Sequence, residues 1–73
     1  YDYRSLIKNA LIKYYTRDGK NQFYKIHEIH TIDSSKYIVK CEYTVADYYV
    51  ALFVVDINSN NSVNLIEIYV ANL

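Results

Sequence analysis

The hydrophobic pattern of the chain changes period once. Tyr3, Leu6, Ile7, Ala10, Leu11 and Tyr14 recur at i, i+3, i+4 and i+7, with Asp2, Arg4, Lys8, Asn9 and Lys13 between them. This is the spacing of an amphipathic helix. A helix of about four turns is unstable alone in water, so its apolar side must lie on another element. Asp2 complements the helix dipole, and Gly19, the only glycine, follows Thr16-Arg17-Asp18 where the chain leaves the helix and turns.

After Asn21 the period becomes 2. Tyr37, Val39, Cys41, Tyr43 and Val45 alternate with Ile38, Lys40, Glu42 and Thr44, which predicts a strand with one face buried. Asp33-Ser34-Ser35 separates it from an earlier strand over about residues 22–32. Ala46-Asp47 links it to a third strand over 48–57, and the polar segment 58–62 leads to a fourth over 63–71. The expectation is a single α+β domain spanning residues 1–73, one N-terminal helix packed on a four-stranded antiparallel meander.

A register follows if the two-residue link pairs Val45 with Tyr48 and the five-residue turn pairs Ile57 with Val63. The helix-covered face then collects Val39, Cys41, Tyr43, Val50, Leu52, Val54, Ile66, Ile68 and Val70. The open face carries Ile38, Lys40, Glu42, Tyr49, Ala51, Phe53, Val55, Leu65, Glu67 and Tyr69, with Tyr24, Ile26, Glu28 and His30 from the first strand. Glu28, Lys40, Phe53 and Glu67 form one row across it. Tyr49, Phe53, Val55, Leu65 and Tyr69 make a larger apolar patch than a solvated sheet requires, and such patches mark interaction surfaces. The expected interface is therefore Tyr49, Phe53, Val55, Leu65 and Tyr69 with Lys40 and Glu67.

Composition narrows the function. Hydrophobic residues make up 52% of the 73, with ten Tyr, two Phe and no Pro, so the chain is globular although near the lower size limit for a core without staples. Eight basic and eight acidic side chains cancel, which removes the basic field that nucleic acid or an anionic membrane would attract. Tyrosines on a sheet can stack bases, but single-strand binders join them to a basic groove, and here the neighbours are glutamates. Cys41 is alone, so no internal disulfide forms. No apolar run reaches the roughly 18 residues of a membrane span. The chain opens at Tyr1 without Met and reads as a processed or excised domain.

Candidate chemistry is sparse. Asp56-Ile-Asn-Ser-Asn-Asn-Ser-Val-Asn-Leu-Ile-Glu67 resembles an EF-hand loop, with Asp56, Asn58, Asn60, Ser62 and Glu67 at ligand positions one, three, five, seven and twelve. Asn61 replaces the glycine, and Ala51 to Asp56 reads as strand where an EF-hand has helix, so a hairpin turn is expected. The alternative function is a small-ligand or weak calcium-binding protein using this loop. His27 and His30 point to opposite faces of a strand, which leaves Glu28 and His30 together, two ligands where zinc requires three or four. Cys41 has His27 beside it on the helix side in this register, but a thiol in an apolar stripe is inert. Glu28, Glu42 and Glu67 share the open face with no pocket implied. No cofactor, metal or catalytic residue is expected, and the chain reads as a non-enzyme.

One helix laid across a four-stranded antiparallel meander resembles the cystatin-like and NTF2-like α+β folds, including small envelope domains of Gram-positive bacteria. The resemblance covers the whole chain and is topological. It favours a bacterial, extracytoplasmic setting over a cytoplasmic one, and the lone cysteine fits either. The cystatin protease-binding Gln-x-Val-x-Gly hairpin is absent, the corresponding turn being Val45-Ala46-Asp47-Tyr48. The function expected is protein–protein interaction or assembly, with a protein partner or a homo-oligomer on the open sheet face.

Overall fold

The computed structural model describes residues 2–73. Helix α1 (Tyr3–Tyr14) is followed by a two-stranded ribbon, β1 (Thr16–Arg17) and β2 (Lys20–Asn21), and then by β3 (Phe23–Thr31), β4 (Lys36–Val45), β5 (Asp47–Ile57) and β6 (Val63–Asn72). The last four form one antiparallel sheet in the order β3-β4-β5-β6. The α+β class and the meander are those the hydrophobic pattern predicts.

Each end of α1 is tied down. Asp2 caps it, its carboxylate accepting from the Arg4 amide at 3.0 Å and the Ser5 hydroxyl at 3.2 Å. Beyond the C-terminus, Asp18 and Gly19 have φ of 51° and 76°, the left-handed pair that a tight two-residue hairpin requires. The ribbon it closes was not foreseen beyond a turn. The Gln22 amide donates to the Tyr15 carbonyl, and the Thr44 amide donates to the Gln22 carbonyl, which joins helix end, ribbon and sheet.

Ile7 and Leu11 of α1 are fully buried against Val39, Cys41, Ala51, Phe53 and Val55. Aromatic contacts frame this core. Tyr3 stacks on Tyr37 with ring centroids 4.9 Å apart, and Tyr14 meets Phe53 edge-on at 5.2 Å.

The register of β4 on β5 differs from the expectation by one residue. Val45 pairs with Asp47, not Tyr48, so Val39 faces Phe53, Cys41 faces Ala51 and Lys40 faces Leu52. The link is shorter than two residues because Ala46 takes φ 65° at its tip. A one-residue slip moves every side chain of a strand to the other face. Ala51, Phe53 and Val55 therefore lie under the helix, and Val50, Leu52 and Val54 lie on the open side. Burying Phe53 contributes about 1.5–3 kcal/mol relative to exposure, and Ala51 beside it is also 0% exposed.

The other two registers agree with expectation in part. Glu28 pairs with Lys40, Ile57 with Val63 and Val54 with Ile66. A bulge between Leu52 and Phe53 then shifts β6, so that Leu52 faces Tyr69 in place of Ile68. Two irregularities in β3 put Ile26 opposite Cys41 on the helix side, not on the open face.

Candidate interaction surface

Of the seven residues expected to form an interface, two remain on the open face. Lys40 and Tyr69 flank Leu52 there. Tyr49, Phe53, Val55, Leu65 and Glu67 turn to the helix side, and Phe53 and Val55 are 0% exposed. Phe53 and Val55 belong to the core and Leu65 to its margin, while Tyr49 and the exposed Glu67 line a cleft on the helix side.

The residues that replace them form two rows across all four strands. One runs His30, Ile38, Val54, Ile66, and the next runs Glu28, Lys40, Leu52, Tyr69. Both grade from polar on β3 to apolar on β6. Ile66 and Tyr69 are 50% and 57% exposed, and Ile38, Leu52 and Val54 are half-buried by their neighbours alone. An apolar strip that reaches the β6 edge with no element over it is the surface on which a partner would gain most by excluding water.

Toward the other end of this face, Glu42 is the one buried charged residue among those described. The His27 ring lies 2.7 Å from its carboxylate through Nε2, reached because the β3 irregularity beside Ile26 frees His27 from regular alternation. His27 is thus a partner of Glu42 and not a neighbour of Cys41. His30 and Glu28 approach only to 3.7 Å and are exposed.

The helix side holds a cleft of about 510 Å³ between the end of α1, the ribbon and the sheet. Tyr15, Tyr43 and Tyr49 form a stack along it, with centroids 4.2 and 5.3 Å apart. The Tyr15 hydroxyl donates to Glu67 Oε2 at 3.0 Å, and Arg17 and Gln22 also line the cleft. Desolvation, helped by that hydrogen bond, raises the Tyr15 pKa far above its ordinary value. Tyr43 is raised by desolvation and then by the Glu67 charge. Burial, with a smaller push from Glu67, lifts the Cys41 thiol to about 12, the opposite of nucleophilic activation.

The loop that resembles an EF-hand is a hairpin turn. The Asn58 amide group donates to Ser62 Oγ at 2.7 Å, Ser62 donates to Asn60 Oδ1, and Asn61 adopts φ 66°. Asp56 sits on the open side opposite Lys36 and Asn64, while Glu67 is on the helix side with Tyr15. The first and twelfth ligand positions therefore face opposite sides of the sheet. Among the described residues no three His, Cys, Asp or Glu side chains are gathered as a metal site, and no helix is long and apolar enough to cross a membrane.

Sequence reasoning missed Leu52, Val54 and Ile66 as surface residues because β5 is apolar on both faces, so its alternation carries no sign. Compared with known proteins, the chain matches no family model, no curated protein and no solved structure.

Proposed function

We propose that this chain is a non-catalytic interaction domain that receives a protein partner on the open face of its sheet. The observation that carries the reading is the uncovered row pair in which Ile38, Leu52, Val54, Ile66 and Tyr69 adjoin one another, with Lys40 at the polar side. Their arrangement, an apolar centre bordered by Lys40, Glu28 and His30, has the anatomy of a partner surface. A single helix on a four-stranded antiparallel sheet, an arrangement that resembles the cystatin-like folds, is compatible with such a role in a bacterial envelope assembly.

Leu52→Lys tests it, since the side chain can extend to water without disturbing the helix side. Proteins bound by the wild-type domain in an extract of its source cells, and released by this substitution, support the reading. A bound set identical for wild type and variant overturns it. A small-ligand reading has one observation behind it, the tyrosine-lined cleft at Glu67, and would appear as shifts of Tyr43 and Tyr49 signals that Leu52→Lys leaves intact.

A further inference from the structure

The two edges of the sheet are built differently. On the β3 edge, Lys25, His27, Glu28 and His30 are all exposed and two irregularities break the ladder, which are the devices that keep an edge from pairing with another strand. The β6 edge has neither Lys nor Pro over its ten residues. Its only charged side chain, Glu67, is turned to the helix side and held by Tyr15. Ile66, Ile68, Tyr69 and Val70 are exposed at 50%, 52%, 57% and 39%. β6 is thus a long, apolar strand of high β-propensity with an unpaired outer ladder.

We infer that β6 pairs antiparallel with β6 of a second copy, joining two four-stranded sheets into one of eight strands. The inference concerns the edge of the sheet, where the function proposed above concerns its face. A second copy is the occupant because the strand is complementary to itself. Asn64, Ile66, Tyr69 and Ala71 are on the open side, whereas Leu65, Glu67, Val70 and Asn72 are on the helix side. The bulge makes the open-side set, and Leu65 with Val70 on the helix side, symmetric about the junction of Glu67 and Ile68. A two-fold axis there sets Ile66 against the second copy's Tyr69 and Leu65 against its Val70, each pair on a common face and apolar. The chain's net charge is zero, so no long-range repulsion opposes the approach. The protected β3 edge stops the addition at two copies. The dimer also doubles the apolar strip, since the graded rows meet at their apolar ends.

Sedimentation equilibrium of the wild type should give a reversible dimer. Ile66→Lys should leave a folded monomer, while Leu52→Lys, on the face, should leave the dimer intact, so the edge and the face are judged separately. Register is tested by oxidation of single-cysteine variants, the native Cys41 being buried. A mixture of Ile66→Cys with Tyr69→Cys should form a disulfide-linked pair several-fold faster than either variant alone. A wild type that stays monomeric at millimolar concentration, or cross-linking no faster in the mixture, would overturn the inference.

Discussion

Phe53 stands opposite Val39 across β4 and β5, both fully buried beneath α1, while the adjacent Leu52 stands opposite Lys40 on the open face. This juxtaposition sets which residues are core and which are available. Phe53→Ala should cost about 3–5 kcal/mol, as expected for an aromatic removed from a closed core. Leu52→Lys should cost less than about 1 kcal/mol, as for a surface position. Urea denaturation of the two variants measures both.

Ala46 sustains that juxtaposition with a left-handed backbone, which costs a non-glycine residue about 1–2 kcal/mol. Ala46→Gly should therefore raise stability by about 1 kcal/mol. Ala46→Val should lower it, because a β-branched side chain fits this conformation worst. Midpoints of thermal unfolding give the order Gly, Ala, Val.

Alkali should weaken the fold from the helix side. The Cys41 thiol ordinarily titrates at 9.0 and is lifted to about 12 in the folded protein, chiefly by burial. Folding thus favours the neutral thiol. Its contribution is complete below pH 9.0, declines as the unfolded chain begins to ionise, and is gone once pH passes about 12. Tyr15, also raised by burial, acts in the same direction. Cys41→Ala should flatten the fall in unfolding free energy over this window, and thiol reagents should label Cys41 only at the rate of unfolding.

His27 and Glu42 should behave as a unit. The Glu42 side chain is 8% exposed and lies 2.7 Å from the His27 ring. His27→Ala leaves that carboxylate buried without its partner and should cost about 1–3 kcal/mol. Replacing both by Leu should cost less than the single change, as for other buried polar pairs exchanged for apolar ones. A double-mutant cycle in urea reads the coupling.

The extent to which this was legible in the sequence varies by element. The 3.6-residue spacing of Ile7 and Leu11 identified the helix and its buried side, because the intervening Lys8 and Asn9 are polar. β4 was equally clear, since Lys40 and Glu42 mark one face. β5 carries Val50, Leu52 and Val54 on one face and Ala51, Phe53 and Val55 on the other, so only the link could orient it, and Ala46 shortened that link by adopting a conformation its residue type does not advertise. The interface residues were displaced with it. The bulges at Leu52/Phe53 and Ile26/Glu28 answer to tertiary packing and leave no local signature, which is why Ile26 and His27 exchanged expected sides.

The orientation of β5 is tested most directly by nuclear Overhauser contacts between aromatic side chains in the folded protein. The Phe53 ring lies edge-on to Tyr14 at 5.2 Å and to Tyr15 at 6.0 Å, so cross-peaks from Phe53 to both tyrosine rings are predicted, with Leu52 methyls showing contacts to Tyr69 instead. Contacts from the Leu52 methyls to Tyr14 or Tyr15, with Phe53 silent toward them, would contradict the account.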